Sequence, residues 1–237
     1  MTTSFRAPIT YAGTGAYKAF RGLTQTVNLD QTVIFDDFTG VAVDLTNDWT
    51  EVKDTSASVA IAADVVGGRL LMSSQATTDD NGSSIQGNEI FAVEAGRTMW
   101  FQTKLQSSDA DDQDVCAGFT VNFGPSPGPE AMLTAADRIV FQVDDGDGSI
   151  LCKTEKDGTE TSTDSGVDLA DATDVELAII VEGTGIVEFY INGKLRATHT
   201  TNIPDDENLT VGIMQLSGSN TGTKSVSVDY VLAGQTR

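Results

Sequence analysis

Apolar and polar positions alternate along this chain in short stretches that are broken repeatedly by Gly, Asn and Asp. A period of two bounded by turn formers marks half-buried strands. On that pattern strands are predicted at 32–38, 49–53, 58–62, 69–73, 83–90, 98–106, 115–123, 138–143, 149–154, 175–182, 209–216 and 225–232, with a hairpin between 175–182 and 209–216. Only "PEAMLTAAD" has a helical look, and it is short.

The hairpin is "GIVEFYINGKLRATH", residues 185–199, with strand formers on both sides of Asn192-Gly193. A two-residue turn sets Ile191 opposite Lys194 and Phe189 opposite Arg196. A three-residue loop, with Gly193 left-handed, sets Phe189 opposite Leu195 and Glu188 opposite Arg196. The second is the expectation, because it keeps charge away from apolar surface. Val187, Phe189, Leu195 and Ala197 then form a buried face, and Glu188, Tyr190, Lys194 and Arg196 a wet one.

This density of strands predicts an all-β chain, an antiparallel two-sheet sandwich. Composition adds that 237 residues without a Pro/Ser-rich linker make one domain. The formal charge of −21 repels phosphate backbones and anionic lipid, so nucleic acid is not an expected partner. The best apolar run, "LAIIV", is strand-sized, so no membrane span is expected, and "MTTSFRAPITYAG" has no apolar signal-peptide core. Charge is unevenly placed. Residues 1–29 hold Arg6, Lys18 and Arg21 and no acid, a +3 segment ahead of a body with 11 basic and 35 acidic residues, which is −24. The expected division is therefore an extended basic arm, 1–30, and a sandwich, 31–237. The arm also carries Phe5, Tyr11, Tyr17 and Phe20, and with the three cations these form a candidate partner-binding set.

In their order, "FDDFTG…NDWT", "GGRLLMSS…DDNGSSIQ", "MWFQTKLQSS…CAGFTV", "RIVFQVDDGDGSILCKTEKDG", "DVELAIIVEGTGIVEFYINGKLRAT" and "SVSVDYVLA" resemble the concanavalin A-like jelly-roll, with a laminin-G flavour in the hairpin. The resemblance implies a jelly-roll sandwich from about residue 31 onward. That fold serves lectins, glucanases, adhesion modules and tailed-phage virion proteins.

Glycanases of this kind keep closely spaced carboxylates on one strand, as E-x-D-x-x-E, to flank one glycosidic bond. The acidic clusters "SDADDQD" and "DDGDGS" read as turns and depart from that pattern. His199, the one histidine, reads as a surface residue. Cys116 and Cys152 read as buried free thiols. Asp144, Asp145 and Asp147 are candidate calcium ligands in a Gly-bent turn, against which a plain solvated turn is preferred, since the EF-hand spacing is missing. No other cofactor is expected. Trp49 and Trp100 read as core, leaving Tyr190 as the candidate surface for stacking a sugar.

Phage head decoration and cement proteins pair a sandwich with a terminal arm, and the chain resembles them. The resemblance implies a virion protein on the capsid surface, made in the bacterial cytoplasm, without turnover. Its partners would be the major capsid protein or another virion protein, and further copies of itself. The alternatives are a glycan-binding module for host-surface adhesion, and a glycan hydrolase or lyase whose site goes unrecognised.

Overall fold

The structure, a computed structural model, describes residues 31–74, 79–124, 128–219 and 222–237. The arm candidates Phe5, Arg6, Tyr11, Tyr17, Lys18, Phe20 and Arg21 lie outside the described residues. Sixteen strands follow one another among those described: β1 (Gln31–Asp36), β2 (Thr50–Lys53), β3 (Ser58–Ile61), β4 (Leu70–Ser74), β5 (Gly82–Gln86), β6 (Phe91–Ala92), β7 (Thr98–Ser107), β8 (Gln113–Thr120), β9 (Arg138–Asp144), β10 (Asp147–Lys156), β11 (Thr159–Asp168), β12 (Asp174–Glu182), β13 (Ile186–Ile191), β14 (Lys194–His199), β15 (Asn208–Ser217) and β16 (Lys224–Thr236). They form two antiparallel sheets. The first runs β14-β13-β12-β7-β16-β4-β3, with β1 also paired to β16. The second runs β11-β10-β9-β8-β15-β5-β2, with β6 also paired to β15. The predicted sandwich is present.

Alternation decides which side chains fill the space between the sheets. Met99, Phe101 and Leu105 of β7 and Val175, Leu177, Ile179 and Val181 of β12 face inward, meeting Val115, Ala117 and Phe119 of β8. Edge-to-face ring pairs lock this layer, with centroids 5.3 Å apart for Phe91–Phe119 and for Phe141–Phe189. Trp49 is buried as expected, its indole N–H donating to Asp36 Oδ2 at 2.8 Å. Cys116 and Cys152 are free and buried, which pushes both thiols up to about 12.

Three expectations need correction. The hairpin turns on two residues: Ile191 pairs with Lys194 and Tyr190 with Leu195, and a bulge at Arg196 then brings Phe189 opposite Ala197. Asn192 (φ 49°) and Gly193 (φ 76°) are both left-handed, the backbone of the tight turn that matches strand twist. Leu195 is therefore on the outer face and 50% exposed. The bulge gives what the longer loop was invoked to supply, because it keeps Arg196 away from Phe189. Second, His199 is buried rather than on the surface. Third, β11, "TETSTDSGVD", escaped the hydrophobic pattern because it is a largely exposed strand at the sheet edge. The helical look of "PEAMLTAAD" shrinks to one 3-10 turn, Pro129–Met132.

Candidate functional site

The outer face of the second sheet collects polar side chains that the sequence scatters. Register fixes the rows. Glu160, Glu155, Arg138 and Thr120 lie side by side across β11, β10, β9 and β8. Two residues further on come Lys153 and Val140, then Leu151, Gln142 and Cys116. The pairing Val115↔Val143, carried one position further, sets Asp114 of β8 opposite Asp144 of β9.

Arg138 is nearly inaccessible and organises one end. Its Nε donates to Glu155 at 2.8 Å, its Nη2 to Glu160 at 3.0 Å, and its Nη1 to Gln142 Oε1 at 3.0 Å and to the carbonyl of Met132 at 3.2 Å. Gln142 in turn donates through Nε2 to Asp144 Oδ1. A hydrogen-bonded line thus runs along β9 from Arg138 to Asp144 and fixes the Asp144 carboxylate. The 3-10 turn caps the middle of the face, where Met132 packs with Cys116, Val140, Met214 and Leu216.

At the far end Asp114 is 5% exposed and accepts a hydrogen bond from the Asp145 backbone at 3.0 Å. Burial, with the negative charges of Asp145, Asp144 and Asp80, pushes its carboxyl up to about 7, against the pull of that backbone donor. Asp80 is also raised, by burial and by Asp79, Asp145 and Glu130. An acid that still holds its proton near neutrality thus faces a second carboxylate on one sheet face. Directly opposed positions place Cβ atoms about 4.5–5.5 Å apart, a spacing at which a proton donor and a base can work on one bond.

Asp144, Asp145 and Asp147, the calcium candidates, do not converge. Asp144 is bound by Gln142, Asp145 uses its backbone, and Asp147 Oδ1 accepts from the Ser149 backbone at 3.0 Å. Among the described residues no group of three or more His, Cys, Asp or Glu is arranged to hold a metal ion. Tyr190 is half-buried on the first sheet, its hydroxyl donating to Glu188 at 2.7 Å. Asp114, the residue with the most distinctive chemistry, has no mark in the sequence, where it reads as one acid in the polar run "SDADDQD". The E-x-D-x-x-E spacing does occur outside those two clusters, in "EKDGTE" at Glu155, Asp157 and Glu160. The chain bends there, however. Glu155 and Glu160 oppose each other across the β10–β11 turn, with Asp157 at its tip, so the three do not lie along one strand. Beside that tip a shallow polar depression of about 370 Å³ is lined by Thr159, Thr184, Thr200 and Asn202, among others.

Residues 64–229 match the family described as "SO2946-like, C-terminal domain". The chain belongs to that family. No curated protein sequence matches it. Among solved structures, the protein of unknown function SO2946 from Shewanella oneidensis MR-1 is 15% identical, with a TM-score of 0.60 over 96% of this chain and 97% of that one. SCLam, a non-specific endo-β-1,3(4)-glucanase from family GH16, is 9% identical with a TM-score of 0.61 over 90% and 94%. A prokaryotic β-1,3-1,4-glucanase (lichenase) derived from a mouse hindgut metagenome is 14% identical with a TM-score of 0.59 over 85% and 98%. At these identities the likeness establishes the fold: the SO2946-like chain has the concanavalin A-like jelly-roll. It gives the virion and capsid reading no support, and the expectation of a protein without turnover is overturned by its likeness to glycosidases.

Proposed function

We propose that this SO2946-like protein is a glycan hydrolase that uses Asp114 as proton donor and Asp144 as the opposing carboxylate. The observation that carries the reading is the Asp114 carboxyl held near 7 beside Asp144 on one face of the sandwich. Glycoside hydrolysis needs two carboxyl groups with unequal proton affinity flanking one bond. Asp114 protonates the leaving oxygen. Asp144, oriented through Gln142 and Arg138, attacks the anomeric carbon as the C–O bond to the leaving oxygen breaks, and a water deprotonated by Asp114 then hydrolyses the glycosyl-enzyme and frees Asp144. The hydroxyl-lined depression beside the β10–β11 turn offers partners for sugar hydroxyls further along a chain. The described residues offer no observation in favour of attachment to a capsid.

The test is release of reducing ends from mixed-linkage β-1,3-1,4-glucan, β-1,3-glucan and mucin glycans. Release by the native protein and its loss in Asp114→Asn is the expected result. Retention of a polysaccharide in affinity electrophoresis without any release would make the chain a glycan-binding module and sink the hydrolase reading.

A further inference from the structure

The turn that joins β9 to β10 is fastened to the start of β8, and the fastening falls on the proton donor. Asp144 pairs with Asp147, so Asp145 and Gly146 are the two residues of the turn. Gly146 has φ 81° and Asp145 keeps a negative φ, the backbone of a type II turn. A left-handed residue in that place is what glycine supplies without strain. Built this way, the turn aims two successive backbone N–H groups at residues 111–114. Asp145 N–H donates to Asp114 Oδ1 at 3.0 Å, and Gly146 N–H donates to the Asp111 carbonyl at 2.8 Å. Gly148, just beyond the turn, lies against the same stretch, since a Cβ there would stand 3.2 Å from Asp111 Oδ1. Among the described residues Asp145 N–H is the one donor to the Asp114 carboxyl.

We propose that the β9–β10 turn positions the proton donor, with Asp145 N–H holding Oδ1 of Asp114 as acceptor so that Oδ2 carries the proton. Asp145 and Gly146 are then positioning residues, and the catalytic consequence rests on the hydrolase reading above. In a neutral carboxyl one oxygen accepts and the other has the hydrogen to give. A rotation that exchanged the two oxygens of Asp114 would break the bond to Asp145, so the acidic hydrogen keeps one direction. Gly146 secures the geometry by tying the turn to Asp111. The same donor also favours the ionised carboxylate, against burial and the charges of Asp145, Asp144 and Asp80, while Leu216, the neighbour on β15, brings no charge.

Two variants of the full chain separate the backbone donor from the side-chain charge. Asp145→Asn keeps the N–H and removes the charge, whereas Asp145→Pro suits the first position of this turn and removes the N–H as well. Asp145→Pro should have a kcat several-fold below that of Asp145→Asn on polysaccharide, with KM alike in the two. The alkaline limb of its pH profile should lie above that of Asp145→Asn, because the donor that favoured the ionised form is gone. In the unaltered chain the Asp145 amide proton, followed by NMR, should move downfield as Asp114 ionises, with a midpoint of about 7, and the movement should vanish in Asp114→Asn. Equal kcat and equal pH profiles in the two Asp145 variants overturn the proposal. So does an Asp145 amide that takes no notice of Asp114, a readout that stands even if Asp145→Pro fails to fold. An unaltered chain that releases no reducing ends at any pH sinks the hydrolase reading alone, and the amide titration then decides whether the turn holds the carboxyl.

Discussion

Two buried titratable residues pull stability in opposite directions with pH. Asp114 has a folded value of about 7 against 3.8 for an ordinary Asp, so between those values the folded state holds the extra proton. Stability therefore falls as pH rises from about 4 to 7, by on the order of 2–4 kcal/mol, the lower figure allowing for solvent screening. Asp114→Asn removes this penalty: the variant should gain in melting temperature over the native protein as pH goes from 4 to 8, and a constant difference would refute the raised carboxyl. His199 works the other way. Thr154 Oγ1 donates to the Thr201 carbonyl at 3.1 Å, so it accepts from His199 Nδ1–H at 3.0 Å, leaving Nε2 to accept from the Thr163 hydroxyl at 3.0 Å. The neutral ring thus ties β14 of the first sheet to β10 and β11 of the second. Burial lowers its proton affinity below 6.5. Its contribution is complete above about pH 6.5 and is lost as pH falls toward the folded value. In an Asp114→Asn background, melting temperature should drop between pH 6.5 and 5, and His199→Gln should flatten that drop.

At the scale of elements, the sequence disclosed periodicity well and local exceptions to it poorly. Most strands were legible because β-branched and aromatic residues alternate between turn formers, as in "VELAIIVE". β11 was not, because an exposed edge strand has no apolar face to betray it. The hairpin register failed for a related reason: a bulge costs one unpaired residue and leaves no mark in composition. Its tip is also anchored where no periodicity could tell, since Asn192 takes the Glu176 backbone N–H on Oδ1 at 3.0 Å and donates its own N–H to the Glu176 carbonyl at 2.8 Å. Asn192→Ala loses that bond and puts a side chain that disfavours φ > 0 into the turn, so it should cost about 1–3 kcal/mol in denaturant unfolding. Gly234 carries a similar demand: a Cβ there would sit 2.4 Å from Trp100 Cζ2. Gly234→Ala must move the indole, and a loss of about 1–3 kcal/mol is expected. A neutral result would show that Trp100 does not lie across β16.

For the whole molecule, fold class could be read directly, since binary pattern fixes how many faces must be buried. The site could not. Asp114 and Asp144 are thirty positions apart in sequence and become neighbours only through the β8–β9 register, and Arg138, Glu155 and Glu160 converge only because β10 pairs with β9 on one side and turns at Asp157 into β11 on the other. Sequence spacing can reveal carboxylates along one strand, whereas this face assembles them across strands. The central claim is that Asp114 delivers the proton. An aryl glycoside with a strongly acidic phenol as leaving group needs no such help, while a polysaccharide leaving group does. The account predicts that Asp114→Asn loses activity on polysaccharide by about 10²-fold or more yet hydrolyses the activated aryl glycoside at nearly the native rate, with Asp144→Asn impaired on both. Equal loss on the two substrates in Asp114→Asn would contradict it.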